Sequence, residues 1–290
     1  MPNLQLQQFI NLLLLLTVAY FSANIYLSWY ALGTVLVVTL FLEHIFIWIK
    51  EKKSDYFSYA SMTTAIGVML MMVSTEYWVY FLIITLALVQ KHFLRLKTGH
   101  IFNPSNFALV MALLLFYDTA HIVLGQLGDD VWLLSLVLFM GMIILWQAKR
   151  WVISLSFVLA YLYFQYMFVV MTDPLIIFED IYGRFYSVSF TVFILFMLTD
   201  PRTTPSKVWE QIVFALCIAA MATVMDYVYG FRVQHLFLVL FFCSAFYALF
   251  VQQKLCSYKD KVSAGVLIIL VLSVIIFIQI QEPYYFEMDG

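Results

Sequence analysis

Two short stretches of the chain concentrate the residue types able to do chemistry. The first reads Thr98-Gly99-His100-Ile101-Phe102-Asn103-Pro104-Ser105-Asn106, and the second Leu198-Thr199-Asp200-Pro201-Arg202-Thr203-Thr204-Pro205-Ser206-Lys207. In each a small polar residue precedes proline: Asn103 before Pro104, Asp200 before Pro201 and Thr204 before Pro205. That order caps a helix N-terminus and puts proline at the first helical position, where its missing N–H costs nothing. A helix N-terminus presents unpaired N–H groups and a partial positive charge, which suit a phosphate, a carboxylate or the carbonyl of an electron-rich heterocycle. The same trio also starts ordinary helices at a membrane interface, and Thr172-Asp173-Pro174 repeats it. The two long stretches differ in company: His100 and Asn106 in one, Arg202 and Lys207 in the other, supply more hydrogen-bonding capacity than a cap uses.

The elements that must position these residues follow from composition. Of 290 residues 64% are hydrophobic and 11% charged, with a mean hydropathy of +0.96, whereas soluble domains carry about 25% charged residues. Such a chain belongs in a lipid bilayer. Its formal net charge of -2 excludes the basic surface that nucleic acids require. Cys217, Cys243 and Cys256 have no paired spacing, there is no HExxH, no glycine-rich phosphate loop and no histidine pair spaced for one helix face, so no metal or haem is expected.

Charged or turn-rich breaks divide the chain into about eleven apolar runs, each near the length of a spanning helix. They fall at 9–27, 29–49, 57–73, 77–94, 105–124, 131–148, 151–171, 184–199, 207–228, 233–252 and 261–281. The expected fold is therefore an all-α polytopic integral membrane protein, residues 1–290 forming a single transmembrane domain, with broken or capped helix starts at the two motifs. The run from Phe9 has no basic n-region before it and reads as a retained helix. With Lys50, Lys52 and Lys53 in the cytoplasm, alternating loops put every other Lys and Arg there too except Arg184 and Arg232. By the positive-inside rule the N-terminus is cytoplasmic and the C-terminus outside, in a bacterial inner membrane.

Within the runs, Ala60, Ser61, Thr64 and Gly67 share helical spacing, as do Ala215, Ala219, Ala222 and Asp226. Small residues at this spacing let membrane helices pack closely; the sharper reading makes Ser61 and Thr64 line a pathway. Glu43 lies inside a run, and an intramembrane carboxylate is a functional candidate by default, here also lining the pathway. The 19 tyrosines and seven tryptophans, many at run ends, read as interfacial belts.

The segments from Ser58 to Phe116 and from Arg184 to about Phe242 resemble the membrane-subunit family containing NqrB of the sodium-pumping NADH:quinone reductase and RnfD of the Rnf complex. The resemblance rests on order. A helix carrying Ser61, Thr64 and Gly67 precedes one ending in Lys91-His92; then come Gly99-His100, Phe102-Asn103-Pro104 and, much later, Phe196-Met197-Leu198-Thr199-Asp200-Pro201. Ser105 after the proline and the Asp-Pro-Arg-Thr-Thr-Pro run are similar to stand-alone RnfD-like relatives, including those described as enediyne biosynthesis membrane proteins. The resemblance implies a flavin-holding protein of membrane electron transport coupled to ion movement, an electron-transfer or transport component and not a stand-alone catalyst, working with other membrane or redox subunits. It implies that Asn103, Pro104, Asn106, Thr199, Asp200 and Pro201 shape a flavin or solute site; His100, Arg202 and Lys207 join them on their chemistry. The Ser-Gly-Ala-Thr type sequence that carries covalent FMN in the large complexes does not occur, so any flavin, FMN or riboflavin, is expected to be held non-covalently. Two other classes compete: a transporter of a small polar solute such as a flavin, and a structural membrane subunit.

Overall fold

The computed structural model describes residues 4–22, 25–52, 57–96, 99–128, 130–171, 177–251 and 258–280. Thr172-Asp173-Pro174, Cys256 and the acidic C-terminal tail lie outside them. Helices dominate: α1 Leu4–Ser22, α2 Trp29–Glu51, α3 Tyr59–Met71, α4 Tyr77–Phe93, α5 Pro104–Leu115, α6 Val131–Ala148, α7 Trp151–Gln165, α8 Phe178–Gly183, α9 Val188–Val192, α10 Val208–Tyr229, α11 Gln234–Phe246 and α12 Tyr258–Ile280. Two small antiparallel ladders accompany them, β1 Met72–Ser74 with β4 Ala120–Ile122, and β2 Arg95–Leu96 with β3 Gly99–His100. Five segments are long and apolar enough to cross a membrane: Leu4–Ser22, Trp29–Lys50, Val131–Ala148, Trp151–Val170 and Val208–Tyr229. This is a helical membrane protein, and the remaining apolar helices are shorter.

Two runs expected as full spans, 57–73 and 105–124, prove to be short helices. At 1.5 Å per residue α3 and α5 reach only about 20 and 18 Å, and the chain then becomes extended, pairing Val73 with His121 in β1 and β4. Such backbone is tolerated at depth because the ladder satisfies it and protein surrounds it: Met72, Ser74 and Ala120 are buried. The run 184–199 is likewise not one regular helix. A 3₁₀ turn at Arg184–Tyr186 leads into α9, which passes into π-helix at Phe193–Met197.

The packing order repeats. In the first five principal helices α1 lies on α3, α2 on α4 and α4 on α5; in the next set α6 lies on α9, α7 on α10 and α10 on α11. Neighbours alternate in direction: the α3 start meets Glu43 near the α2 end through Ser58, and Asp226 near the α10 end meets His235 at the α11 start. One end of the bundle thus collects the basic breaks, with Lys50, Lys91, His100, Arg150 and Arg202, while the ladder of β1 and β4 and the Asp226 region lie at the other.

Local chemistry explains the boundaries. Ser28 caps α2 by accepting from the Ala31 N–H, and Lys52 ends it in the left-handed region at φ 54°. Ala215, Ala219 and Ala222 are buried along α10, which packs against α7 and α11, as a small-residue seam allows. Gly67 allows α3 to approach α5 closely, since a Cβ there would stand 2.9 Å from Ser105 Oγ. Stacked Phe102 and Phe241, 4.2 Å between centroids, fill the core behind the α5 start.

Candidate functional site

Asn103 uses both ends of its amide. Its Oδ1 accepts from the Ser105 and Asn106 N–H groups at 3.0 and 3.1 Å, capping α5, and its Nδ2 donates to Asp200 Oδ2 at 3.2 Å. The two motifs, 97 residues apart in sequence, are one structural unit.

Asp200 does not cap a helix. Residues 198–207 form turns, and α10 begins only at Val208, with Lys207 at its cap position and no side-chain cap bond. Proline explains the delay: Pro205 disfavours helical geometry at Thr204, and Thr204 Oγ1 instead donates back to the Asp200 carbonyl at 2.6 Å. Arg150, buried at the start of α7, holds this turn through Nε to Thr204 Oγ1 at 3.2 Å and Nη2 to the Pro201 carbonyl at 3.4 Å. The Asp200 carboxylate is met on every side. Its Oδ1 accepts the Arg202 N–H at 3.0 Å, and His100 Nε2 stands 3.9 Å from Oδ2. Burial alone would raise its pKa, but His100, with the N–H and charge of Arg202, holds the carboxyl below its ordinary value.

These groups wall a cavity of about 440 Å³ at the basic end. The first two turns of α1 contribute Leu4, Gln5 and Gln8, and α3 contributes Ala60, Thr63 and Thr64. Lys91 closes one side, and His100, Asn103, Pro104, Ser105, Asp200, Pro201 and Arg202 complete the wall. Among the described residues, none that lines the cavity comes from the end carrying β1 and β4. The α3 wall and the start of α5 offer acceptors: the hydroxyls of Thr63, Thr64 and Ser105 donate to the carbonyls of Tyr59, Ala60 and Thr64, leaving lone pairs for anything else. Lys91 and Arg202 bring donors.

Of the residues singled out in the sequence, His100, Asn103, Pro104, Asp200, Pro201, Arg202 and Thr64 line this cavity. The others lie elsewhere. Asn106 is buried behind it and donates to the Phe237 carbonyl at 3.3 Å. Thr199 Oγ1 donates to Leu195 O, Ser61 Oγ to Ser58 O, and Lys207 points outward to Glu210 at 3.1 Å. Glu43 does not line the cavity but positions a residue that does. Its Oε1 takes Lys91 Nζ at 2.6 Å and Ser58 Oγ at 3.0 Å, and its Oε2 lies 2.9 Å from His92 Nε2. Lys91, read in the sequence for topology and in the family resemblance but not as a site residue, is a lining residue that this reasoning missed, as are Gln5, Gln8 and Thr63. For Lys91 the signal was present, because a carboxylate at membrane depth needs a cationic partner.

A second buried ionisable group lies at the opposite end and was read only as part of a packing seam. Asp226 Oδ1 takes His235 Nδ1 at 2.6 Å and the Arg232 N–H at 3.2 Å, while Oδ2 takes Gln165 Nε2 at 2.7 Å and stands 3.7 Å from Arg184 Nη1. Arg184 also donates to Tyr161 Oη at 2.6 Å and lies 3.2 Å above the Phe231 ring. Of the two basic residues that the expected topology leaves on the opposite side, Arg184 is thereby drawn to a buried carboxylate, while Arg232 meets it through its backbone N–H. Among the described residues no group of three or more His, Cys, Asp and Glu is placed to hold a metal ion.

Compared with known proteins, the chain matches no family model, and a search of curated proteins returns no match.

Proposed function

We propose that the chain is a flavin-holding membrane protein of the NqrB/RnfD type, serving electron transport coupled to ion movement. In this reading it spans a bacterial inner membrane eleven times, with the N-terminus and the cavity on the cytoplasmic side, and works beside redox subunits that deliver and remove electrons. The carrying observation is the Asn103–Asp200 hydrogen bond, which closes one polar cavity from the two motifs on which the family resemblance rests. The volume of about 440 Å³ falls within the range of about 300–1,000 Å³ that small-molecule sites occupy. A flavin ring edge carries both N–H and carbonyl groups, and the cavity offers hydroxyl acceptors on one wall and cationic donors on the other. When bound, the flavin accepts and passes on electrons; Asn103, Asp200 and the α3 hydroxyls orient it. The seal toward the opposite end, built by Gly67 against Ser105 and by the Phe102–Phe241 stack, favours retention over passage.

The test is the flavin content of purified variants. Asp200→Ala, which removes the partner of Asn103, is expected to lose the flavin, whereas Lys207→Ala, away from the cavity, keeps it. Equal content in the two would remove the cavity from the account. The second reading, a transporter of a small polar solute, draws on the polar groups buried at both ends of the bundle, and solute uptake by proteoliposomes without retained flavin would favour it. Neither ligand nor uptake would leave a structural subunit.

A further inference from the structure

We propose that a groove on the outer face of the bundle holds one acyl chain of an anionic phospholipid, taken from the leaflet at the basic end; the proposal is independent of the flavin. The groove, of about 500 Å³, lies between α10, α11 with the π-helical turn Tyr247–Val251 that follows it, and α12. Val213, Cys217 and Met221 form one wall at i, i+4 spacing, Phe246 and Phe250 the facing wall, and Val271 on α12 a third. The first five are exposed, whereas Ala215, Ala219 and Ala222 of the same α10 are buried. Because α10 is long and apolar enough to cross a membrane, these side chains face the bilayer, and an apolar cleft there is filled by hydrocarbon.

Its shape fits a chain. From Trp209 to Met221 the lining follows α10 for about 18 Å at 1.5 Å per residue, close to one leaflet's share, about 15 Å, of the hydrocarbon core. At the far end Met221 Sδ meets Cys243 Sγ at 3.8 Å, joining α10 to α11. Among the described residues the one charged group in the lining, Glu210, stands at the other end and is matched there: Lys207 Nζ lies 3.1 Å away and Tyr247 Oη donates at 3.5 Å.

The mouth selects the headgroup. α12 begins at the same end, since Phe277 near its finish meets Tyr117 beyond the end of α5, and its first turn carries Lys259 and Lys261 with Asp260 between them. Lys207 balances Glu210, so the two lysines of α12 against the one aspartate leave a positive charge at the mouth. Trp209 is exposed at the start of α10, where an interfacial tryptophan sits at headgroup level. A cationic mouth above an apolar groove matches an anionic phospholipid, because lysines at a membrane surface attract such headgroups.

The experiment is native mass spectrometry of the full chain, purified in detergent, stripped of lipid and titrated with phosphatidylglycerol or phosphatidylcholine of identical acyl chains. One phosphatidylglycerol per chain is expected to stay bound, about 5-fold more tightly than phosphatidylcholine, the worth of one lysine charge at a membrane surface. Cys217→Trp fills the groove from an exposed position and is expected to lose both lipids. Lys259→Gln combined with Lys261→Gln leaves the groove open and is expected to abolish only the preference. Equal binding of the two lipids by the wild type, a preference that survives the double lysine variant, or unchanged binding by a folded Cys217→Trp would each overturn the proposal. A lipid-free dimer that Cys217→Trp separates would overturn it as well, because the groove would then be covered by a second copy of the chain.

Discussion

Asn103 Nδ2 donates to Asp200 Oδ2 at 3.2 Å while its Oδ1 caps α5, so one amide joins a helix start to the turn after α9. Asparagine alone satisfies both, since the cap needs an acceptor and Asp200 needs a donor. Asn103→Asp keeps the cap but sets a second carboxylate against Asp200; Asn103→Ala loses both bonds. The cap alone is worth about 0.5–2 kcal/mol. We expect Asn103→Asp to lower the melting temperature and empty the cavity despite the preserved cap. A variant that melts like wild type would show that the bridge carries no weight.

Acid sensitivity follows from Asp200. Its folded pKa is held below the unfolded value by His100 and Arg202 against the cost of burial. The contribution is therefore complete above the unfolded carboxylate value of about 3.9 and is lost as pH falls through the lower folded value. Melting temperature recorded from neutral to strongly acidic pH should fall less steeply at the acid end in Asp200→Asn than in wild type. Parallel curves would count against the linkage.

Gly67 sets the distance between α3 and α5. A Cβ there would stand 2.9 Å from Ser105 Oγ and 3.3 Å from Ser105 Cβ, and Ser105 is itself buried. Gly67→Ala should destabilise by about 1–3 kcal/mol, and Ser105→Ala in the same chain should recover part of it. Gly33, on α2 with nothing within 4 Å of an added Cβ, is the control, where alanine should be neutral or stabilising by about 0.5–1 kcal/mol. Equal effects at the two glycines would refute the close approach.

Much of the architecture was legible in the sequence because apolar run length is a strong signal. The breaks at Lys50–Lys53, Lys149-Arg150 and Arg202–Lys207 mark helix ends observed nearby. What the runs could not show is where an apolar stretch stops being helical. Met72-Val73-Ser74 is as apolar as the helix before it, and its strand depends on a partner at Ala120–Ile122, nearly fifty residues away. In the site, the Asn103 cap was readable from its proline, whereas Asp200 was misread as a cap because Pro205 and the Thr204 hydroxyl decide that turn together. Lys91 and the Asp226 group escaped for a similar reason: their partners lie on other helices, which spacing along one helix does not reveal.

The Asp226 group should act as one unit. Asp226→Ala leaves Arg184 and His235 buried without their carboxylate, a loss of about 3–5 kcal/mol. Adding Arg184→Ala should then cost much less than it does in the wild-type background, and a double-mutant cycle measures this coupling. Strict additivity would show that the two residues do not share an interaction.

The central claim is that the cavity between α1, α3, α5 and residues 198–204 holds a flavin without a covalent bond. The absorption spectrum of the detergent-purified full-length protein, before and after denaturation and ultrafiltration, tests it most directly. The account predicts a flavin spectrum in the native sample that passes entirely into the filtrate on denaturation, and its absence from Asp200→Ala prepared in parallel. A native sample with no flavin absorbance after purification and incubation with FMN, or a chromophore that stays on the denatured chain, would contradict it.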